Sequence, residues 1–194
     1  MHDIEPYFRW RDYYIADQDE RSPFYGREYS EFQFHNKIYN YMIHPQWDEF
    51  GSPTLYSKIL YADYEQSFAI IEFIGEWNDC ITNDVMYMKR NIIDPLIKQG
   101  IHKYILICEN VLNFHGDDDC YYEEWWDEII DNDGWVSILN AHRHVEEEMN
   151  NVQLDSYLYF GEMFDEVEWR KLTPIGLYLK IQDIIERPRT LKVY

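Results

Sequence analysis

Apolar and polar positions along the chain follow two periods, and each change of period marks an element. Leu55 to Tyr64 and Ser67 to Gly75 read as two strands joined by a tight turn at Tyr64-Glu65-Gln66. The second, Phe68-Ala69-Ile70-Ile71-Glu72-Phe73-Ile74, is almost continuously apolar, the pattern of a strand covered on both faces. The period then lengthens to that of a helix. Val85, Met88, Ile92 and Leu96 form one track and Met86, Ile93 and Ile97 its neighbour, with Thr82 or Asn83 as cap and Gly100 as stop. Pro95 lies inside this track, lacks a backbone N–H and predicts a kink. Tyr104 to Cys108 is another buried strand, Trp135 to Leu139 a third core strand and Ser156 to Phe160 a fourth. Helices are expected over the acidic run after Cys108, with Tyr122, Trp125 or Trp126, and Ile129 on one face, and over Arg143 to Met149. Thr173 as N-cap and Pro174 at the first helical position open a final helix through Leu177, Ile181, Ile184 and Ile185 that ends near Arg187-Pro188.

Upstream, from Pro6 to about Pro53, the chain is aromatic and polar and broken by Pro and Gly. Its one β-like run, Glu31 to Ile43, turns Phe32, Phe34, Ile38 and either Tyr41 or Ile43 towards an apolar neighbour, with a slip of register around Asn36. The chain thus divides into an N-terminal arm, residues 1–53, with one edge strand, and an α/β domain, residues 54–194. Strands alternating with helices predict a mixed, largely parallel sheet with flanking helices, and the opening hairpin supplies an antiparallel edge.

Composition narrows the partners. The 194 residues suit one domain with an extension, and 37 acids against 17 Lys and Arg give a formal charge of −20. Such a field repels phosphate backbones and anionic lipid, which excludes nucleic acid and membrane surfaces. No apolar run approaches the ~20 residues of a membrane span. The first residues lack the basic and apolar regions of a leader, so the cytoplasm is the expected location. Cys80, Cys108 and Cys120 form no CxxC pair and no disulfide framework.

The charge is concentrated. From Tyr104 to His142 there are ten carboxylates and no Lys or Arg. Large aromatics interleave with these acids, so the stretch is a folded helix rather than a disordered tail. Tyr121 and Tyr122, and likewise Trp125 and Trp126, cannot all be buried on one helical face. These four aromatics are therefore candidates for a protein interface.

In parallel sheets ligands bind beyond the C-terminal strand ends. The residues expected there are Glu76, Trp77, Asn78 and Asp79 after one strand, Glu109, Asn110, Asn113 and His115 after the next, and Asn140, His142, His144, Gly161 and Glu162 after the last two. Glu76, Asn78, Asp79, Glu109, Asn110, Asn113 and His115 form the candidate ligand set, suited to a polar small molecule or a divalent cation. The competing reading makes the Asn residues helix caps and the carboxylates satisfied structural groups. No zinc spacing, calcium loop, GxSxG elbow or phosphate-binding glycine loop is present, and no metal or cofactor is assigned.

The element order over roughly Leu55 to Arg187 resembles the SpoIIAA-like fold, shared by the STAS (anti-sigma-factor antagonist) domains and by relatives grouped with lipid-binding CRAL-TRIO domains. Antagonists of that family carry an Asp-Ser-x-Gly phosphorylation turn after a core strand. Here the corresponding residues are Glu109-Asn110-Val111-Leu112-Asn113-Phe114-His115, so the phosphoswitch is not carried over. The segments Gly75-Glu76-Trp77-Asn78-Asp79, Glu109 to His115 and Tyr121-Tyr122-Glu123-Glu124-Trp125 resemble those of an uncharacterised bacterial protein family, which brings no activity with it. The favoured expectation is a non-enzymatic interaction module, homodimeric, for a basic or amphipathic protein partner. The alternative is a small-molecule or metal-binding protein, conceivably an enzyme, acting at the strand ends.

Overall fold

The structure is a computed structural model and describes residues 4–30 and 32–187. Its centre is a four-stranded sheet ordered β3-β4-β5-β6, from β3 (Leu55–Asp63), β4 (Phe68–Asn78), β5 (Lys103–His115) and β6 (Trp135–Leu139). β3 and β4 pair antiparallel, while β4 with β5 and β5 with β6 pair parallel. This is the mixed, largely parallel α/β sheet that the pattern predicts. Crossovers of one hand carry the chain in one direction across the sheet and so leave their helices on one face. The first crossover is α1 (Asp79–Thr82), α2 (Asp84–Met88), a π-helical turn (Lys89–Ile93) and α3 (Asp94–Lys98); the second is α4 (Cys120–Ile130).

The apolar alternation of the strands sorts the core into two sides. Ile71, Phe73, Leu106 and Ile138 face Met88, Ile92, Trp125 and Ile129 of the crossover helices, joined by Val145 and Met149 of α5 (Arg143–Asn151). Phe68, Ile70, Ile105 and Ile107 face the other way, onto Leu177, Tyr178 and Ile181 of α7 (Pro174–Glu186). The Tyr178 ring stacks on Phe68 at 4.3 Å between centroids. α7 starts as expected, with the Thr173 hydroxyl accepting from Gly176 N at 3.1 Å, and its last residue is Glu186. Pro188 lies outside the described residues.

Four elements depart from the sequence pattern. Glu31 lies outside the described residues, and residues 32–43 form not one edge strand but a separate two-stranded hairpin, β1 (Lys37–Ile38) and β2 (Tyr41–Met42), turning at Tyr39 (φ 53°). Ile38 and Ile43 are buried with Trp47, Tyr56 and Ile74, whereas Phe32 and Tyr41 are exposed. β5 continues seven residues past Cys108, and its register on β4 slips opposite Glu72/Ile74 and Gly75/Glu76. Ser156 to Phe160 is no strand, because a 3-10 turn occupies Leu154–Ser156 and Tyr159 alone bridges to Ser137 of β6. Finally, the helix through Pro95 meets its missing N–H with the wide turn Lys89–Ile93, which re-phases the hydrogen-bond ladder just before the proline.

The arm is stitched across the second face. Trp10 Nε1 donates to the Leu172 carbonyl at 3.1 Å and Tyr7 Oη to that of Arg170 at 3.0 Å. Tyr7, Trp10 and Trp169 pack edge to face. Within β4, Gly75 has φ 122° and lies against Thr54, where an added Cβ would strike the Thr54 carbonyl oxygen.

Candidate functional site

The β4 and β5 extensions carry the sequence-predicted set, and the structure distributes it over different surroundings. Asn78 caps α1, its Oδ1 accepting from Ile81 N at 2.9 Å. The short turn of α1 folds Asp79 inward, so its carboxylate is almost wholly covered. Asp79 accepts from Tyr122 Oη (2.6 Å), Val85 N (2.8 Å) and Trp77 Nε1 (3.1 Å). Burial pushes this carboxyl up to about 6 against the pull of those donors. Asp84, also buried, accepts from Asn78 N at 2.8 Å and Thr82 Oγ1 at 2.7 Å. These two carboxylates hold the start of the crossover together.

Glu76 lies under the β1-β2 hairpin and accepts from Asn113 Nδ2 at 2.8 Å. Asn110 is paired with Ile74 in the ladder, and His115, opposite Asn78, is exposed at the strand end. Glu109 sits elsewhere. It takes the fork of Arg170, with Nη1 at 2.6 Å and Nη2 on the other oxygen, and Trp169 Nε1 at 3.3 Å. A cleft of about 280 Å3 there is lined by Glu109, Asn140, Asp165, Trp169, Arg170 and Lys171. Among the described residues no group of three or more His, Cys, Asp or Glu is placed to hold a metal ion.

Two carboxylate clusters were not singled out in the sequence. Glu72 is the lone acid of the apolar stretch Phe68 to Ile74 within β4, which is a visible signal. Its Oε2 accepts from Tyr7 N at 2.8 Å, and its buried Oε1 has no partner. Burial pushes Glu72 up to about 7, with the Glu109 charge adding to the shift. Beyond β6, Glu146 Oε1 and Asp165 Oδ1 are buried without hydrogen-bond partners, burial with the neighbouring Asp165 charge pushes Glu146 up to about 7, and Asn140 Nδ2 donates to the Asp165 carbonyl at 2.7 Å. No spacing in the sequence relates these residues.

A group whose folded pKa is raised keeps its full contribution only below the unfolded value and loses it as pH rises through the folded one. For Glu72 that window runs from about 4.5 to about 7. Glu72→Gln is therefore expected to flatten the decline in melting temperature between about pH 5 and about pH 8, with the variant gaining on the order of 3 kcal/mol over wild type at the upper end. Thermal melts at both pH values check this. An unchanged slope would mean that Glu72 is not held protonated.

The interface candidates separate by depth. Tyr122 and Trp125 turn into the core, Tyr122 on Asp79 and Trp125 against Tyr104, because α4 buries one stripe. They are thereby unavailable to a partner in the folded state. Tyr121 and Trp126 stay half-buried. The inner charges of α4 meet cations from the first crossover. Lys89, fully covered, reaches Asp94 at 2.5 Å, Glu128 at 2.6 Å and Glu124 at 3.5 Å, and Arg90 pairs with Glu124 and Asp94. Glu123 and Asp127 are exposed and make no ion pair among the described residues. Trp126 packs on Tyr159 and borders a groove of about 510 Å3 with Tyr157 and Ile185. No helix of the described residues is long and apolar enough to cross a membrane.

No family model matches the chain, and no curated protein matches it. Among solved structures it is similar to one from Thermotoga maritima described provisionally as an anti-sigma factor antagonist. The identity is 15%, the TM-score 0.39, and the match covers 54% of this chain and 85% of that one.

Proposed function

We propose that the chain is a non-enzymatic protein-interaction module that receives a cationic, amphipathic segment of a partner along α4. The observation that supports this best is the pairing of unneutralised charge with an aromatic groove. Glu123 and Asp127 project from α4 with no cation paired to them among the described residues, and the half-exposed Trp126 lines the adjoining groove. Basic residues of a partner helix would meet the acids and its apolar stripe the groove. Self-association through this face would bring acid against acid, so a homodimer is proposed to form through the arm instead, where Phe8, Tyr13, Tyr25 and Phe32 are exposed.

The test is fluorescence anisotropy with a labelled Lys/Leu amphipathic helical peptide. Wild type is expected to bind with strong salt dependence, and Trp126→Ala and the pair Glu123→Lys/Asp127→Lys each to weaken binding by about tenfold or more without changing the urea midpoint appreciably. Variants that bind as wild type does would sink the reading.

A further inference from the structure

A cavity of about 520 Å3 lies between the arm and β3, at the opposite edge of the sheet from β6. That volume is in the range of small-molecule sites, about 300–1,000 Å3. Its apolar wall includes Ile15, Ala16, Ile59 and Leu60, and its polar wall includes Arg11 and Lys58. The second wall is built rather than incidental. Asp48, fully buried, accepts from Lys58 Nζ at 3.1 Å, Arg27 Nη1 at 3.2 Å and Tyr29 Oη at 2.5 Å, and Lys58 also sits 3.9 Å over the Tyr29 ring. This knot fixes a nearly buried ammonium at the cavity wall.

Asp48 and Asp17 act on Lys58 as the attractive charges, and Arg11 acts on it as a repulsive one. Arg11 itself has a weak contact to Gln46 at 3.4 Å and no carboxylate partner among the described residues, although acids outnumber cations two to one in the chain. Two like charges sharing a cavity are stabilised by an anion between them. Asp17 and Glu28 stand in the same wall and disfavour a dianion such as phosphate. We propose that this cavity binds a small organic monocarboxylate, its head held between Arg11 and Lys58 and its apolar or aromatic body against Ile15, Ile59 and Leu60. The site is independent of the α4 surface and survives the failure of that reading.

The experiment is a set of amide-resolved NMR titrations with 3-phenylpropionate, its neutral amide and phenethylamine, on wild type and Arg11→Gln. Arg11 is exposed, so the variant is expected to fold and to give an otherwise superimposable spectrum. The acid is expected to shift residues 14–18 and 58–60 saturably, with the amide at least about tenfold weaker and Arg11→Gln weakening the acid by a similar factor. Equal binding of acid and amide, preference for the amine, unaltered acid binding by Arg11→Gln, or no saturable shift with any probe would each overturn the proposal.

Discussion

Replacing Lys89 by Met is expected to lower the free energy of unfolding by about 3 kcal/mol and the melting temperature by roughly 6–12 °C. The ammonium is fully covered, and three carboxylates converge on it, Asp94, Glu124 and Glu128. Removing it leaves those charges facing one another across the joint between the π-helical turn and α4. Taking away one partner of a buried ion pair costs about 3–5 kcal/mol, and the lower end applies because the carboxylates keep part of their surface in water. Adding Glu128→Gln should recover part of the loss, since it removes the repulsion that Lys89 had offset. Arg90→Met is the comparison, with the same acids but an exposed cation, and its shift should be far smaller. A Lys89→Met protein melting within about 2 °C of wild type would show that the network adds nothing.

Gly75→Ala is expected to cost at least about 3 kcal/mol, from a strained φ and an atomic overlap together. The backbone there has φ 122°, a region that L side chains rarely enter, and the obstructing atom is the Thr54 carbonyl oxygen. That oxygen also accepts from Glu76 N at 3.0 Å, while Thr54 Oγ1 donates to the Glu76 carbonyl at 3.0 Å. Relief therefore requires breaking the β3-β4 ladder at the end where the hairpin docks. The damage should be local as well as global. Hydrogen exchange should accelerate at Ile38, Tyr56 and Ile74 more than at Ile105 or Ile138. Uniform acceleration, or a stability equal to wild type, would count against this account.

Much of the frame was legible because it rests on long, unambiguous apolar runs. β3, β4, β6 and α7 follow from alternation, continuity or a cap with proline behind it. What was lost was lost to tertiary causes. The extension of β5 has two slips of register, so Val111 and Phe114 are buried and Leu112 and His115 exposed in a pattern that no single period describes. Read as a loop, it placed Glu109 and Asn113 together, whereas Glu109 belongs to Arg170 and Asn113 to Glu76. Asp79 sat in the sequence at an open strand end, and only the fold brings Tyr122 over it, from 43 residues away. Lys89 carries no signal of its own in the sequence, because nothing local announces the wide turn before Pro95.

The contacts that fasten the arm join residues 163 and 162 positions apart, Tyr7 to Arg170 and Trp10 to Leu172. In N- to C-terminal synthesis these two contacts cannot form until the segment from Trp169 to Leu172 has been made. Through that interval the apolar face of β4 and β5, with Phe68, Ile70, Ile105 and Ile107, also waits for α7. The nascent protein must therefore carry an uncovered sheet face from the completion of β5 (Lys103–His115) until α7 (Pro174–Glu186) has been made.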